Sequence, residues 1–287
     1  MIADYSTQVG YDAEKPMVRP VVILGLFLAW IAPSAFCGPP FLTDDPQPVA
    51  FRHYEFYFFS TLDRSPDGYG VAVPAFEFNI GVASNLQLHV VAPLQLVVPT
   101  GGRNSYGAGD VEVGAKYRFV EEKGMRPQVG IFPMLELPSG DALRGLGNGQ
   151  LWAKLPAWVQ KSWGPWTSYG GGGYIVNRAP GMRDHAFFGW QVQRELNKKL
   201  TLGAEWFNPG RDSIAGTNAQ MANVGGFYNF NQNFSLLFTA GHTFGVEAHT
   251  VAYLGLYWTW GHDRTSGSEG KRLDSAMFSG RRRGFRL

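Results

Sequence analysis

The chain has 287 residues, of which 17% are charged, 15% are aromatic and 37 are glycine. The charged fraction is below the quarter typical of soluble domains, and the abundance of Phe, Trp and Tyr excludes intrinsic disorder. A single cysteine excludes a disulfide framework and a cysteine-based metal site. The net charge of +2 gives no basis for nucleic-acid binding, and the mean hydropathy of -0.14 excludes a bundle of transmembrane helices. A protein of β-strands remains.

The N-terminal region has the pattern of a secretory signal peptide. The most apolar run, residues 20–33, is PVVILGLFLAWIAP, which is shorter than the roughly 20 residues that span a bilayer. Arg19 precedes it and small residues follow it, as in a signal peptide. We therefore expect a signal peptide over residues 1–37 with cleavage after Cys37, and we interpret residues 1–16 as an over-extended gene start.

Two alternatives to this cleavage point stay open. One is cleavage after Ala35, and the other is a lipid anchor on Cys37, which the bulky Phe36 before it disfavours. In each case the chain is exported, and a bacterial envelope is the expected destination. The following residues, 38–50, are expected to form a periplasmic segment ahead of the first strand.

From Phe51 onward the sequence alternates with a period of two, interrupted by Gly, Pro, Asn and Asp. The pattern predicts twelve strands, at residues 51–60, 71–80, 86–97, 110–119, 127–137, 150–160, 166–176, 185–195, 200–207, 219–230, 234–243 and 251–260. Their connections alternate between short turns and longer, glycine-rich loops. This is typical of an outer-membrane barrel, and the even strand number places both chain ends at the periplasmic side with the short turns.

The two faces of each predicted strand differ in polarity. In residues 110–119, for example, Glu112, Lys116 and Arg118 share one face, and valine and aromatic residues share the other. A soluble β-sandwich would also alternate, but its outer faces would carry a dense coat of charge. Here the apolar faces end in aromatic residues, as an interfacial girdle requires: Phe119, Trp206, Phe230, Trp258 and Trp260.

The predicted fold is therefore all-β, a single twelve-stranded antiparallel transmembrane β-barrel over residues 51–260 in the bacterial outer membrane. Strand 166–176 is the least regular, because Gly170–Gly173 obscures its alternation. Beyond the predicted barrel, residues 261–287 carry seven Lys or Arg residues and three acidic residues. We expect this basic tail to be disordered, with contact to anionic lipid head groups as the alternative.

The inner face of the predicted barrel collects charged and aromatic side chains. The lumen-lining candidates for transport are Glu55, Glu77, Glu112, Lys116, Arg118, Glu136, Lys154, Glu195, Glu205, Trp152, Trp158, Tyr253 and Tyr257, accompanied by His53, His89 and Tyr57. The charges could form a selectivity lining, but in a narrow twelve-stranded lumen we favour mutual pairing. Such a lumen should conduct ions poorly until Arg118 and Lys154 are both replaced by alanine.

No catalytic, cofactor or metal site is predicted. Some twelve-stranded barrels are phospholipases with a Ser-His-Asn site, and the candidates for such a site here are Ser235, His242 and Asn233. Strand periodicity places Ser235 and His242 on opposite faces, which leaves no oriented triad. A lipid hydrolase is therefore a distant alternative, and the protein is not predicted to be an enzyme.

Several motifs resemble the bacterial family named for the MetA pathway of phenol degradation. They are PPFLTDDP at residues 39–46, GAGDVEVGAKYRF at 107–119, LPSGD at 137–141, GLGNG at 145–149 and GPWTSYGGGGY at 164–174. The resemblance implies a porin-like outer-membrane barrel that takes up small hydrophobic or aromatic compounds. It also implies outer-membrane lipids and the barrel assembly machinery as partners. A structural barrel with a plugged lumen remains the alternative function.

Overall fold

A computed structural model describes residues 39–245 and 248–261, within which the chain forms a closed twelve-stranded antiparallel β-barrel. The strands are β1 (His53–Ser65), β2 (Gly68–Ala83), β3 (Leu86–Pro99), β4 (Ser105–Ala108 and Val111–Val120), β5 (Gln128–Ile131 and Met134–Leu137), β6 (Trp152–Trp163), β7 (Trp166–Val176), β8 (His185–Glu195), β9 (Leu200–Gly210), β10 (Ala219–Asn229), β11 (Phe234–Phe244) and β12 (Thr250–Gly261). The predicted signal peptide over residues 1–37 and the basic tail beyond Gly261 lie outside the described residues.

The barrel closes where β1 pairs with β12, and His53 lies opposite Gly261 in that ladder. The two ends of the barrel domain therefore meet at one rim, as the even strand number predicts. The same rim, called here the turn end, carries the short connections 84–85, 121–127, 164–165, 196–199 and 230–233. The opposite rim, the loop end, carries the longer connections, among them 138–151, 177–184 and 211–218.

The first hairpin is longer than predicted. We expected a connection of about ten residues between strands ending at 60 and starting at 71, but β1 and β2 continue to a turn of two residues, Pro66 and Asp67. The extension is polar on both faces at Asp63 and Arg64, so hydrophobic alternation could not reveal it. It forms because the backbone ladder continues to Ser65 opposite Gly68, and backbone pairing does not require apolar side chains.

Two strands are interrupted: β5, which was predicted to be continuous over residues 127–137, and β4, whose first part, Ser105–Ala108, lies in the loop predicted before residue 110. In β5 the break falls at Phe132 and Pro133, because proline has no N–H to donate to the ladder. In β4 the break falls before Val111, where the buried carboxylate of Asp110 accepts hydrogen bonds from the backbone of the 138–151 loop. Both breaks allow the wall to bend and the long loop to be tied to it.

The predicted division of the strands into an inner and an outer face is confirmed. On β6, Leu155 faces outward and is 51% exposed, whereas Trp158 is buried. The strand with the glycine run, β7, pairs with both neighbours along its length, and its Tyr169 is fully buried. Within the described part of the chain, no helix has the length and apolar character needed to cross a membrane.

Aromatic side chains on the outer face gather near the turn end. Tyr54 stacks on Trp260 with ring centroids 5.7 Å apart, and Phe234 stacks on Trp258 at 4.6 Å. Phe230 continues the row by stacking on Phe234 at 5.0 Å. Aromatic rings of this kind are typical of the level of lipid head groups, so the pattern indicates one interfacial girdle.

Candidate functional site

Residues 39–50 lie inside the barrel and cross its lumen, and we call this segment the strap. Toward the turn end, the backbone N–H of Val49 donates to Gln87 of β3 at 2.9 Å. At the other end of the strap, the carbonyl of Pro40 accepts from Thr239 of β11 at 2.8 Å. The sequence predicted a periplasmic segment at 38–50; the described part of it is instead held within the lumen.

An ion cluster holds the middle of the strap against β4. The Lys116 ammonium lies 2.9 Å from an Asp44 oxygen and 3.4 Å from an Asp45 oxygen, and it also lies 4.9 Å from the centroid of the Phe132 ring. Lys116 is 4% exposed and Asp45 is fully buried. Arg118, the next inward residue of β4, donates to the Gln47 side chain at 2.6 Å.

Burial raises the pKa of Asp45 to about 8, while the Lys116 ammonium acts in the opposite direction. Asp44 and Asp45 place two carboxyl groups within 4 Å of the Lys116 ammonium. The buried ammonium is therefore paired, which offsets the cost of removing it from water.

A second anchor lies on the opposite wall. The Glu205 carboxylate accepts hydrogen bonds from the backbone N–H groups of Leu42 and Thr43 and from the side chain of Asn223. These bonds satisfy strap N–H groups that belong to no ladder, which would otherwise be buried without a partner. Glu205, predicted as a lumen-lining residue, therefore holds the strap.

Two glycines of the wall make room for the strap. A Cβ at Gly189 of β8 would lie 2.1 Å from the Thr43 hydroxyl, and a Cβ at Gly81 of β2 would lie 2.0 Å from the Ala50 carbonyl oxygen. Any other residue at Gly81 would push the strap backbone away, and at Gly189 the side chains of Thr43 and Phe207 would have to move. The wall is therefore shaped to receive this segment.

Other charged and polar side chains of the lumen wall form a connected network. The Glu55 carboxylate accepts from the hydroxyls of Tyr57 and Tyr257, at 3.1 and 2.8 Å. Further along the wall, the network continues through the side chains of Asn79, Glu77, His89, Glu112 and Lys154. Most of the charges that the sequence placed in the lumen are thus brought together and bonded to one another, as expected for a narrow interior.

Three further predicted lumen residues lie beside this network or at the rim of the barrel. Glu136 lies directly opposite Glu112 in the pairing of β4 with β5, so two carboxyl groups face each other there. Glu195 ends β8 at the turn end, and His53 begins β1 at the same rim. These rim positions do not place Glu195 and His53 on the path through the middle of the lumen.

Two apolar clusters fill the lumen on either side of the polar network. The first consists of Tyr57, Phe59, Ala72, Ala75, Phe227, Leu237 and Tyr257, with Val91 and Tyr253 packed against it. The second consists of Phe132, Met134, Trp158 and Phe187, with Ile175 and Phe207 packed against it. Trp152, nearer the loop end, lies beside Lys154 with 5.8 Å between the ammonium and the ring centroid.

Sequence reasoning missed the strap and several of its partners. Gln87 and Asn223 occupy inward positions of predicted strands, so the same alternation that identified Glu205 could have included these uncharged residues. Asp44 and Asp45 belong to the motif PPFLTDDP at residues 39–46, which precedes the first predicted strand and has no alternation of its own. The strap has no strand periodicity, and Lys116, its partner on the wall, lies 72 residues after Asp44 in the chain. No local pattern relates the two.

The three residues weighed as a hydrolase triad have other partners. The Ser235 hydroxyl donates to Asn229 at 2.7 Å, the His242 ring bonds to the Thr250 hydroxyl at 3.0 Å, and the Asn233 side chain donates to the backbone of Thr259 at 2.9 Å. Ser235 and His242 lie at opposite ends of β11. The three side chains are therefore not arranged as a nucleophile with its base.

Comparison with known proteins supports the fold. No protein-family model and no curated protein sequence matches the chain, so the resemblance to the phenol-degradation family remains a prediction. Among solved structures, the chain is similar to the COG4313 outer membrane channel from Pseudomonas putida F1, with 18% identity, a TM-score of 0.57, and coverage of 74% of this chain and 96% of that one. The KdgM porin matches at 12% identity and a TM-score of 0.48, covering 71% of this chain and 99% of that one. The match to the COG4313 structure shows that the chain has the fold of an outer-membrane β-barrel.

Proposed function

We propose that the protein is a channel of the bacterial outer membrane that passes small hydrophobic or aromatic compounds while excluding ions. The apolar outer face and its aromatic girdle suit a lipid environment. The similarity to a solved outer-membrane channel supports the same placement at the level of the fold. The turn end, where the first and last strands of the barrel begin and end at His53 and Gly261, then faces the periplasm.

The observation that carries the proposal is the composition of the lumen. The two apolar clusters offer an aromatic path along the wall, whereas the charges between them are bonded to one another and to the strap. An ion in such a lumen would have to replace its hydration shell with groups that already have partners, which is costly. A weakly polar aromatic solute has no such requirement.

A second candidate function is a structural barrel, and the strap favours it. A segment anchored on β3, β4, β9 and β11 blocks the direct route through the lumen. If the strap never moves and the apolar clusters never open, then no solute passes. The two candidates differ in whether the protein accelerates the entry of an aromatic compound.

The test is phenol entry into vesicles whose outer leaflet contains lipopolysaccharide, with protein-free vesicles as the baseline. We expect the protein to accelerate phenol entry, and we expect Phe187→Lys to abolish the gain because it places a charge inside the second apolar cluster. Gln193→Lys, on the same inward face of β8 but outside that cluster, is the matched control. No acceleration by folded wild-type protein would favour the structural barrel.

The orientation of the barrel leads to a labelling prediction. Cysteines introduced at Asn148 and Ser213, in loop-end connections, should react with an impermeant thiol reagent in intact cells. A cysteine at Ser162, beside the 164–165 turn, should not react until the outer membrane is opened. The chain without added cysteines provides the blank, and the reverse labelling pattern would invert the orientation.

A further inference from the structure

A cavity of about 560 Å³ opens at the loop end, between the connections 177–184 and 211–218. It is separate from the strap and from the polar network of the lumen. Its lining consists of Asn177, Arg178, Met182, Arg183, Asp184, Arg211 and Ile214. Three guanidinium groups therefore surround one carboxylate and two apolar side chains.

The walls of this cavity are braced by backbone hydrogen bonds. Arg183 donates its N–H to the Asp212 carbonyl at 2.9 Å, and Ile214 donates to the Gly181 carbonyl at 2.9 Å. These bonds join the two connections, and Met182 forms an isolated bridge with Ser213 between them. The cavity thus has a formed frame, which lowers the entropic cost of binding a ligand.

A third connection supports the same frame. The Asn177 side chain accepts from Asn148 of the 138–151 loop at 3.1 Å, and the backbone N–H of Asn177 donates to Asp184 at 2.9 Å. Asn177 is buried in this arrangement. The polar floor of the cavity is therefore occupied by protein contacts, which leaves the arginine side chains as the groups that can meet a ligand.

The positive charge of the cavity is only partly compensated. The Arg178 Nε lies 3.8 Å from an Asp184 oxygen, and the Arg178 side chain is 80% exposed, so this pair is weak. Within residues 39–245 and 248–261, neither Arg183 nor Arg211 lies within 4 Å of a carboxylate; Arg211 donates instead to the Ile214 carbonyl. Guanidinium groups bind carboxylates through paired, charge-assisted hydrogen bonds.

The apolar part of the cavity narrows the class of ligand. Met182 and Ile214 line it beside the arginines, so a ligand with an apolar body gains contacts that an inorganic anion does not. The cavity also lies close to the apolar path in the lumen. Asn177 directly follows the last residue of β7, and Ile175, near the end of that strand, packs against the second apolar cluster.

We propose that this cavity binds small aromatic carboxylates, with Arg183 and Arg211 holding the carboxylate and Met182 and Ile214 contacting the ring. This inference goes beyond the proposed function, because an aromatic carboxylate is an anion and the proposed channel excludes ions. Binding itself does not depend on transport, so the two proposals can fail separately.

The test is the binding of 4-fluorobenzoate to the full-length protein in detergent micelles, followed by fluorine NMR. We expect saturable binding that weakens at least tenfold in the Arg183→Gln/Arg211→Gln variant. The Arg103→Gln/Arg144→Gln variant removes the same charge from other loop-end connections and should bind like wild type. The neutral analogue 4-fluorotoluene should not compete.

Other outcomes would overturn the inference. Equal loss of binding in the two double variants would show a general attraction to positive charge rather than a site. Displacement of 4-fluorobenzoate by an equal concentration of inorganic phosphate would make this a phosphate site, of the kind a lipopolysaccharide head group could occupy. Absence of saturable binding while the protein still accelerates phenol entry would overturn this inference alone. Saturable binding without accelerated phenol entry would overturn the proposed channel function and leave this inference standing.

Discussion

Replacing Lys116 with methionine should raise the ion conductance of the refolded barrel severalfold in planar bilayers. The ammonium is the cation that meets Asp44 and Asp45 of the strap, at 2.9 and 3.4 Å. Removing one partner of a buried ion pair costs about 3–5 kcal/mol, because the remaining charge is left uncompensated. The strap should then leave the lumen, where Asp44 regains water, and the space that it occupied becomes open to ions.

Lys161→Met is the matched control for this experiment. Lys161 is also ion-paired, with Glu122 at 2.5 Å, but it does not contact the strap. Its replacement should leave the conductance unchanged. The double alanine substitution of Arg118 and Lys154, which the sequence suggested, should have a smaller effect than Lys116→Met. Arg118 contacts the strap through the uncharged Gln47 side chain, and Lys154 pairs with Glu112 of the wall.

A cysteine pair can separate strap movement from general damage to the barrel. A Cβ built on Gly189 would lie 3.2 Å from the Thr43 Cβ, close to the 3.5–4.5 Å found across disulfides. In the Lys116→Met background, Thr43→Cys/Gly189→Cys should conduct poorly when oxidised and well when reduced. High conductance in both redox states would show that ions do not pass through the space that the strap vacates.

A second large effect is expected on the outer face of the barrel. Leu155→Arg should lower the free energy of unfolding from lipid vesicles by about 2 kcal/mol, toward the lower part of the 2–4 kcal/mol expected for a lipid-facing arginine at the bilayer midplane. Leu155 is 51% exposed on the outer face of β6, and it lies nearer the loop end than the centre of that strand. An arginine there must reach toward the head groups to keep its charge hydrated.

The neighbouring residue of β6 provides the control. Lys154 faces the lumen, where it pairs with Glu112 at 3.5 Å, and Glu112 keeps His89 as a second partner at 3.1 Å. Because the carboxylate stays paired, Lys154→Ala should cost about 1 kcal/mol or less, which is clearly below the cost of Leu155→Arg. Similar losses for the two variants, measured by the same denaturant titration in vesicles, would contradict the assignment of inner and outer faces.

The extent to which the strands could be predicted follows from a simple property of β-structure. Successive side chains point to opposite faces, so Leu155 and Lys154 had to differ in environment once a strand was recognised at that place. The same regularity failed where polarity no longer alternates. The outer part of the first hairpin is polar at Asp63 and Arg64, and the break of β5 at Pro133 depends on a missing N–H rather than on hydropathy.

The candidate site was predictable only in part, for the same reason. The inward charges, such as Glu112 and Lys116, could be listed from their position in the alternation, but their partners could not. Pairing of Glu112 with His89 and Lys154 depends on which strands are neighbours and on their register. In the sequence these residues are more than 20 positions apart, and no local pattern relates them.

The sequence by itself determined the barrel, its twelve strands, the rim where the two ends of the barrel domain meet, and the polarity of each face, because all of these follow from local alternation and turn residues. Only the tertiary structure decided what fills the lumen. Residues 39–50 have no strand periodicity, and they become part of the site because Lys116, Glu205 and Gly189 are brought together around them by the closure of the barrel. Their place depends on contacts across the lumen, which exist only once the wall has closed.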